Sequence, residues 1–183
     1  MLINYKRHAK KCSYGSTRKL DAIDAIVIHN VGEDGGKIST AKNNADYFAT
    51  GNTRSAGAHF FIDRDGNCAK SVWMKEIAWA VGKGSYEKGQ YFNYVNNANS
   101  ISIELCGIMQ KDPSDAQLKK LDALVKYICK KCPNIKWIVR HYDVVKKDCP
   151  ARYVKDRKKW LLLQCRLLKV MQEAMQKYHG KVV

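Results

Sequence analysis

The stretch DAIDAIVIHN, residues 21–30, climbs from a polar lead into a short apolar run rich in Ile and Val. A continuous β-branched run of this length reads as a buried strand, and His29 stands at its C-terminal end. Two further runs resemble it. SISIELCG, residues 100–107, alternates Ile101, Ile103 and Leu105 against Ser102 and Glu104, which puts Glu104 on the face opposite the aliphatics. IKWIVR, residues 135–140, gives another strand and leaves His141 at its C-terminal end, as His29 is on the first.

Between the first two runs, SAGAHFFIDRDGNCAKSV alternates around Asp65-Gly66, a two-residue hairpin signal with strands near 58–63 and 67–72. Helical periods flank these strands. Ser39 or Thr40 caps a helix that follows the glycine-bearing loop GEDGG, runs to about Thr50 and stops at Gly51. Ser114 and Gln117 form a capping-box pair ahead of Leu118, Leu121, Leu124, Val125, Ile128 and Cys129, so 115–131 is an amphipathic helix. A final helix over about 154–178 turns Trp160, Leu163, Leu167 and Met171 inward and a Lys/Arg face outward. Residues 82–98 are polar, glycine-bearing and aperiodic, a long surface loop that could serve as a cleft wall. The order predicts an α/β fold, a mixed central β-sheet flanked by helices, in one domain over 1–183 without internal repeat or linker.

Charge is distributed unevenly. Residues 1–107 carry 14 Lys+Arg against 10 Asp+Glu, and residues 108–183 carry 19 against 7, out of a total of +16. A basic back half favours a polyanionic partner such as nucleic acid, an anionic envelope polymer or an acidic membrane surface; a solvated lysine face that aids solubility is the plainer reading. No apolar run is long enough to span a membrane, and the polar, basic N-terminus is not a secretory signal, so synthesis and retention in the cytoplasm are expected. Seven cysteines with no export signal suit reduced thiols better than a disulfide framework.

Two histidines that each end an apolar strand are, taken singly, ordinary core residues. Together with Cys149, eight positions after His141, they offer two imidazoles and a thiolate, the donors zinc prefers, and three protein ligands leave a fourth position for water. The competing pair is Cys129-Lys-Lys-Cys132; it lacks a partner pair, and Cys129 occupies an apolar helix position.

Five segments, IDAIVIHN, SAGAHFFIDRDG, EIAWAVGKG, NANSISIEL and VRHYDVVKKDCPARY, in this order and spacing, resemble the zinc-dependent N-acetylmuramoyl-L-alanine amidases related to phage lysins and peptidoglycan recognition proteins. The resemblance covers about residues 20–155. It implies zinc on His29, His141 and Cys149, a catalytic lysine at Lys147 and, in the branch that uses a carboxylate, a catalytic Glu104. Trp79, His59 and Asn99 are the candidate substrate contacts, with Tyr86, Tyr91 and Tyr94 as further groove aromatics; core packing is the favoured alternative for Trp79, and a satisfied inward position for His59. The chain departs from the pattern at Ala58, where some relatives carry a catalytic tyrosine, and at Ala80, where many carry histidine.

The implied activity is hydrolysis of the amide between N-acetylmuramic acid and L-alanine in peptidoglycan, by an endolysin or autolysin that is bacteriolytic and reaches the wall after release. The basic final helix would hold anionic wall or envelope polymers. The rivals are a non-catalytic peptidoglycan-binding module of the same fold, and a basic nucleic-acid-binding protein, for which the sequence offers no recognised module.

Overall fold

A computed structural model describes residues 1–31, 39–82, 84, 86–109 and 111–181. The loop read at 32–36 lies outside them. The strands are β1 (Tyr5–Lys6), β2 (Tyr14–Thr17), β3 (Ala25–Asn30), β4 (Phe60–Ile62), β5 (Cys68–Lys70), β6 (Glu76–Ala78), β7 (Ser100–Leu105) and β8 (Trp137–Arg140). The helices are α1 (Ala41–Asp46), α2 (Asp115–Lys131), α3 (His141–Val144), α4 (Ala151–Lys155) and α5 (Arg157–His179).

Among the described residues six strands form one sheet in the order β1-β5-β4-β7-β3-β8, and β2 pairs with β6 in a separate ribbon. The sheet is mixed: β3 runs parallel to β7 and β8, β4 parallel to β7, and β4 antiparallel to β5. Side chains alternate along each strand. Ile26, Ile28, Ile101, Ile103 and Leu105 therefore share one face, where they meet Leu121, Leu124 and Ile128 of α2 and Leu163, Leu167 and Met171 of α5. Complete burial of a side chain such as Leu121 contributes roughly 2 kcal/mol. His29 and Glu104, register partners across β3 and β7, occupy the intervening positions and look out from the other face.

Several local expectations are corrected by long-range contacts. The Asp65-Gly66 turn sits inside a longer connection, Asp63–Asn67, because the Asp63 carboxylate accepts from the Asp65 and Asn67 amides at 3.2 and 2.9 Å. Gly66 supplies the positive φ, 78°, that this turn needs. Ser114 caps α2 by accepting from the Gln117 amide at 3.1 Å, but Gln117 does not close the box. Its buried side-chain amide instead donates to the Ile62 and Cys106 carbonyls at 2.8 and 3.0 Å, tying the helix start to the sheet. The final helix is two: α4 ends at Lys155, and Asp156 caps α5 by accepting from the Lys159 amide at 3.0 Å.

The 82–98 segment is less of a surface loop than its polarity suggested. Val95 is fully buried, and the Gly89 and Tyr91 amides donate to the Val144 and Asp143 carbonyls at 3.0 and 2.8 Å. A Cβ at Gly89 would come within 2.3 Å of the Asp143 carbonyl oxygen, so only glycine permits that approach. All seven cysteines are free thiols. Cys129 and Cys132 lie in the core, each pushed up to about 12 by burial, and the pair joins no metal-capable group among the described residues. No helix is long and apolar enough to cross a membrane.

Candidate metal centre and active-site cleft

The strand ends do the positioning. β3 and β7 finish side by side, and β8 finishes at Arg140, so that His141 opens α3 immediately after it. The Arg140 amide donates to Asp143 Oδ2 at 2.9 Å, its guanidinium grips the same carboxylate at 2.6 Å, and Nη1 donates to the Tyr153 carbonyl at 2.7 Å. This buried arginine lies 5.1 Å from the Tyr142 ring and 5.2 Å from that of Trp160. It thereby fixes the turn that carries His141 and the segment that follows Cys149. The Tyr142 amide donates to the Cys149 carbonyl at 2.8 Å, and the Ala151 amide to Asn30 Oδ1 at 2.7 Å, which closes the ring of segments onto β3.

One ligand-capable atom from each of His29, His141 and Cys149 lies within 4.8 Å of the other two. Cys149 Sγ is 3.7 Å from His29 Nδ1, and the imidazole centroids are 4.7 Å apart at 60°. All three residues are buried, at 2%, 3% and 6% exposure. Burial holds His29 well below its ordinary pKa, with His141 and then Lys147 acting in the same direction, and it lowers His141 to about 4, again helped by Lys147. Both rings are therefore neutral at pH 7, the form that ligates a metal. Burial first, and Glu104 second, push the Cys149 thiol up to about 12.

Without a cation this cluster is poorly satisfied. His29 Nε2, both ring nitrogens of His141 and Glu104 Oε2 are buried without a hydrogen-bond partner among the described residues. Orphaned buried polar atoms are costly and mark places where an ion or water belongs. A divalent cation would take the imidazole lone pairs and supply the positive charge that ionises a buried thiol. Two imidazoles and one thiol match a zinc site that keeps an open position. Glu104 stands next to it, raised to about 7 by burial despite the opposing pull of Lys147.

The cluster lines a cleft of about 890 Å3 that Glu104 and the exposed Lys147 also line. Trp79, Ala80, Gly82 and Tyr86 also line it, as do Asn43, Asn44, Tyr47 and Phe48 from α1 and the wider π-type turn after it, and Arg54. The lining residues of α1 and the turn after it stand in no motif singled out in the sequence. Their signal was present: these residues recur at three- and four-residue steps on one side of the helix that buries Ala41 and Ala45.

Trp79 lines the cleft at 37% exposure, so the expectation of core packing is overturned; its ring lies over Gly15, where a Cβ would meet it at 2.6 Å. The candidate role of His59 as a substrate contact is corrected the other way. It is buried, Nδ1 accepts from the Ser102 amide at 3.0 Å, and Nε2 meets the Glu76 carbonyl at 3.1 Å and Arg18 at 3.0 Å. Asn99 is likewise spent on structure, accepting from the Asn96 amide at 2.8 Å and donating to the Tyr94 carbonyl at 2.7 Å. Of the other aromatics Tyr86 reaches the cleft, whereas Tyr91 packs edge-on against Trp137 and Tyr94 projects to solvent outside the cleft lining.

A hydrolase is the class that this combination of metal-ligand donors, a carboxyl poised near neutrality and an open cleft defines. The chain belongs to the N-acetylmuramoyl-L-alanine amidase family, whose model matches residues 19–152. It is 30% identical over 149 residues to the N-acetylmuramoyl-L-alanine amidase CwlL of Bacillus licheniformis, covering 75% of this chain and 39% of that protein. The chain thus spans about two fifths of the length of the curated relatives it matches. Its fold is that of PlyL, with a TM-score of 0.71, 22% identity, and coverage of 91% of this chain and 97% of the other. A mutant endolysin from Bacillus subtilis shares the fold at a TM-score of 0.66 and 18% identity, over 90% of this chain and 99% of that one.

Proposed function

We propose that the chain hydrolyses the amide joining the lactyl group of N-acetylmuramic acid to L-alanine in peptidoglycan, using one zinc ion held by His29, His141 and Cys149, in the role of an endolysin or autolysin. The observation that carries this reading is the convergence of those three side chains and the unpartnered Glu104 Oε2 on the lining of one cleft. Zinc in this donor set supplies a Lewis acid and lowers the pKa of water towards about 7.

The rest is the work of the chain's own residues. Glu104 takes a proton from the attacking water at Oε2 and passes one to the departing amine. A carboxyl held at about 7 is suited to both transfers near neutral pH. Lys147, two residues before Cys149 at the cleft edge, brings an ammonium to the oxyanion of the tetrahedral intermediate, a role commonly worth about 3 kcal/mol. Trp79 and Tyr86 offer ring faces to the glycan or peptide. The fold shared with a Bacillus endolysin supports a lytic role, and the basic residues of α5 support anionic wall or envelope polymers as additional partners.

The test is Glu104→Gln, which keeps the shape and removes the base. Turnover of purified peptidoglycan is expected to fall by at least about a hundredfold with the zinc-to-protein ratio unchanged. A variant that cleaves at the wild-type rate would remove Glu104 from the mechanism.

A further inference from the structure

Charge alone serves any polyanion, but α5 presents more than charge. Its inward side is fixed by Trp160, Leu163, Leu167, Met171 and Ala174. The opposite side carries Leu161 and Leu162, 45% and 65% exposed, with Lys158 one turn before them and Lys169 two turns after them on the same outward side. Leu162 also lines a groove of about 240 Å3 with Pro113, Leu118, Tyr153 and Leu163, and with Asp112, Lys159 and Arg166 as its polar residues.

The charges around these leucines fall into two groups. Asp112 pairs with Arg152 at 2.7 Å and Lys159 at 2.5 Å, and Asp122 pairs with Arg166 at 2.7 Å. Lys155, Arg157, Lys158 and Lys169 are exposed and enter no ion pair among the described residues, and Asp156, the one acid in that stretch, is used as the α5 cap. The result is a pair of exposed leucines flanked by unpaired cations, beside a groove whose own cations are neutralised by Asp112 and Asp122.

We infer that the outward face of α5, with Leu161 and Leu162 flanked by Lys158 and Lys169 and with Lys155 at the end of α4 and Arg157 at the start of α5 beside it, docks the protein on an anionic phospholipid bilayer. Leucines that enter the acyl boundary beneath lysines that meet headgroup phosphates are the pattern of an interfacial helix. A second copy of this face is a poor partner, because a symmetric pairing would set these cations against one another. A soluble polyanion would engage the cations and leave the leucines in water.

The face has a consistent orientation. The buried side of α5 covers the Ile26, Ile28 and Ile101 face of the sheet, whereas His29 and Glu104 look out from the other face. A bilayer on α5 leaves the cleft directed away from the membrane. The docking itself does not depend on the reaction proposed above.

The test uses the full chain in co-sedimentation with vesicles of phosphatidylcholine alone and of phosphatidylcholine with phosphatidylglycerol, and with soluble polyphosphate as a charge-only ligand. Binding to the phosphatidylglycerol vesicles is expected to weaken by about tenfold in the Leu161→Gln/Leu162→Gln double variant, with polyphosphate binding and peptidoglycan cleavage unchanged. Lys158→Glu/Lys169→Glu is expected to lose both vesicle and polyphosphate binding. Equal vesicle binding by the leucine variant and the wild type, absence of binding to anionic vesicles, or concentration-dependent dimerisation that the leucine variant abolishes would each overturn the proposal.

Discussion

His29, Glu104, His141 and Cys149 are individually unremarkable as residue types, and their chemistry comes from where burial places them. His29 and Glu104 are register partners at the ends of adjacent parallel strands, and His141 and Cys149 are joined by the Tyr142-to-Cys149 hydrogen bond. In the proposed zinc site the thiol is the donor whose ionisation would need the cation, since burial raises it to about 12. Cys149→Ser is expected to lower zinc content by at least about tenfold after dialysis against a weak chelator, read by elemental analysis, because a hydroxyl ionises far less readily than a thiol. A variant that retains stoichiometric zinc would take Cys149 out of the site. The convergence of His29, His141 and Cys149 was legible in the sequence because each stands at the end of an apolar strand or in a short motif. His59 was read from the sequence as a satisfied inward residue with substrate contact as the alternative, but its partners were not legible. Its place is decided by Arg18, Glu76 and Ser102, contacts that only the folded chain brings together.

At the scale of elements, the strands over 25–30 and 100–105 and the helix over 115–131 follow directly from period and capping, since their partners are the core itself. What escaped the sequence depends on close approaches between distant segments. The loop over 82–98 has no periodicity because its order comes from α3, through the Gly89 and Tyr91 hydrogen bonds. Trp79 reads as core by residue type, yet its ring spreads over Gly15 at the cleft edge. The break in the last helix hides in a run of basic residues where Asp156 is both the end of one pattern and the cap of the next. Gly89→Ala tests the loop's dependence on α3. The added methyl meets backbone and cannot be relieved by rotating a side chain, so a loss of about 2 kcal/mol in urea unfolding is expected. Unchanged stability would mean that the loop packs elsewhere.

For the whole molecule, the buried titratable groups set a pH dependence in the zinc-free protein. His141 and His59, lowered to about 4 and 3, and His29, also lowered, take up protons near pH 6.5 when unfolded but not when folded. Their share of stability is complete above pH 6.5 and is lost as pH falls towards 4. Glu104, raised to about 7, works oppositely, binding a proton in the folded state between pH 7 and 4.5. Three histidine protons outweigh one carboxyl proton, so acidification below about pH 6 is expected to cost on the order of 2 kcal/mol per pH unit. Urea midpoints of chelated protein measured from pH 7.5 to 4.5 check this, and a midpoint that stays level or rises on acidification would contradict the burial of these rings.

The α2 and α5 side of the sheet holds the largest aliphatic core, and the other side packs the smaller clusters around Val27 and Val139 and around Phe61 and Ala69 and also presents His29 and Glu104 to the cleft. The most direct measurement of what that second face does is mass spectrometry of muropeptides released from purified peptidoglycan, with and without a zinc chelator. The expected result is new L-alanine amino termini on free stem peptides with intact glycan strands, lost on chelation and restored by zinc. Cleavage in the glycan or between stem residues, or the same release in the presence of chelator, would contradict a zinc amidase at His29, His141 and Cys149.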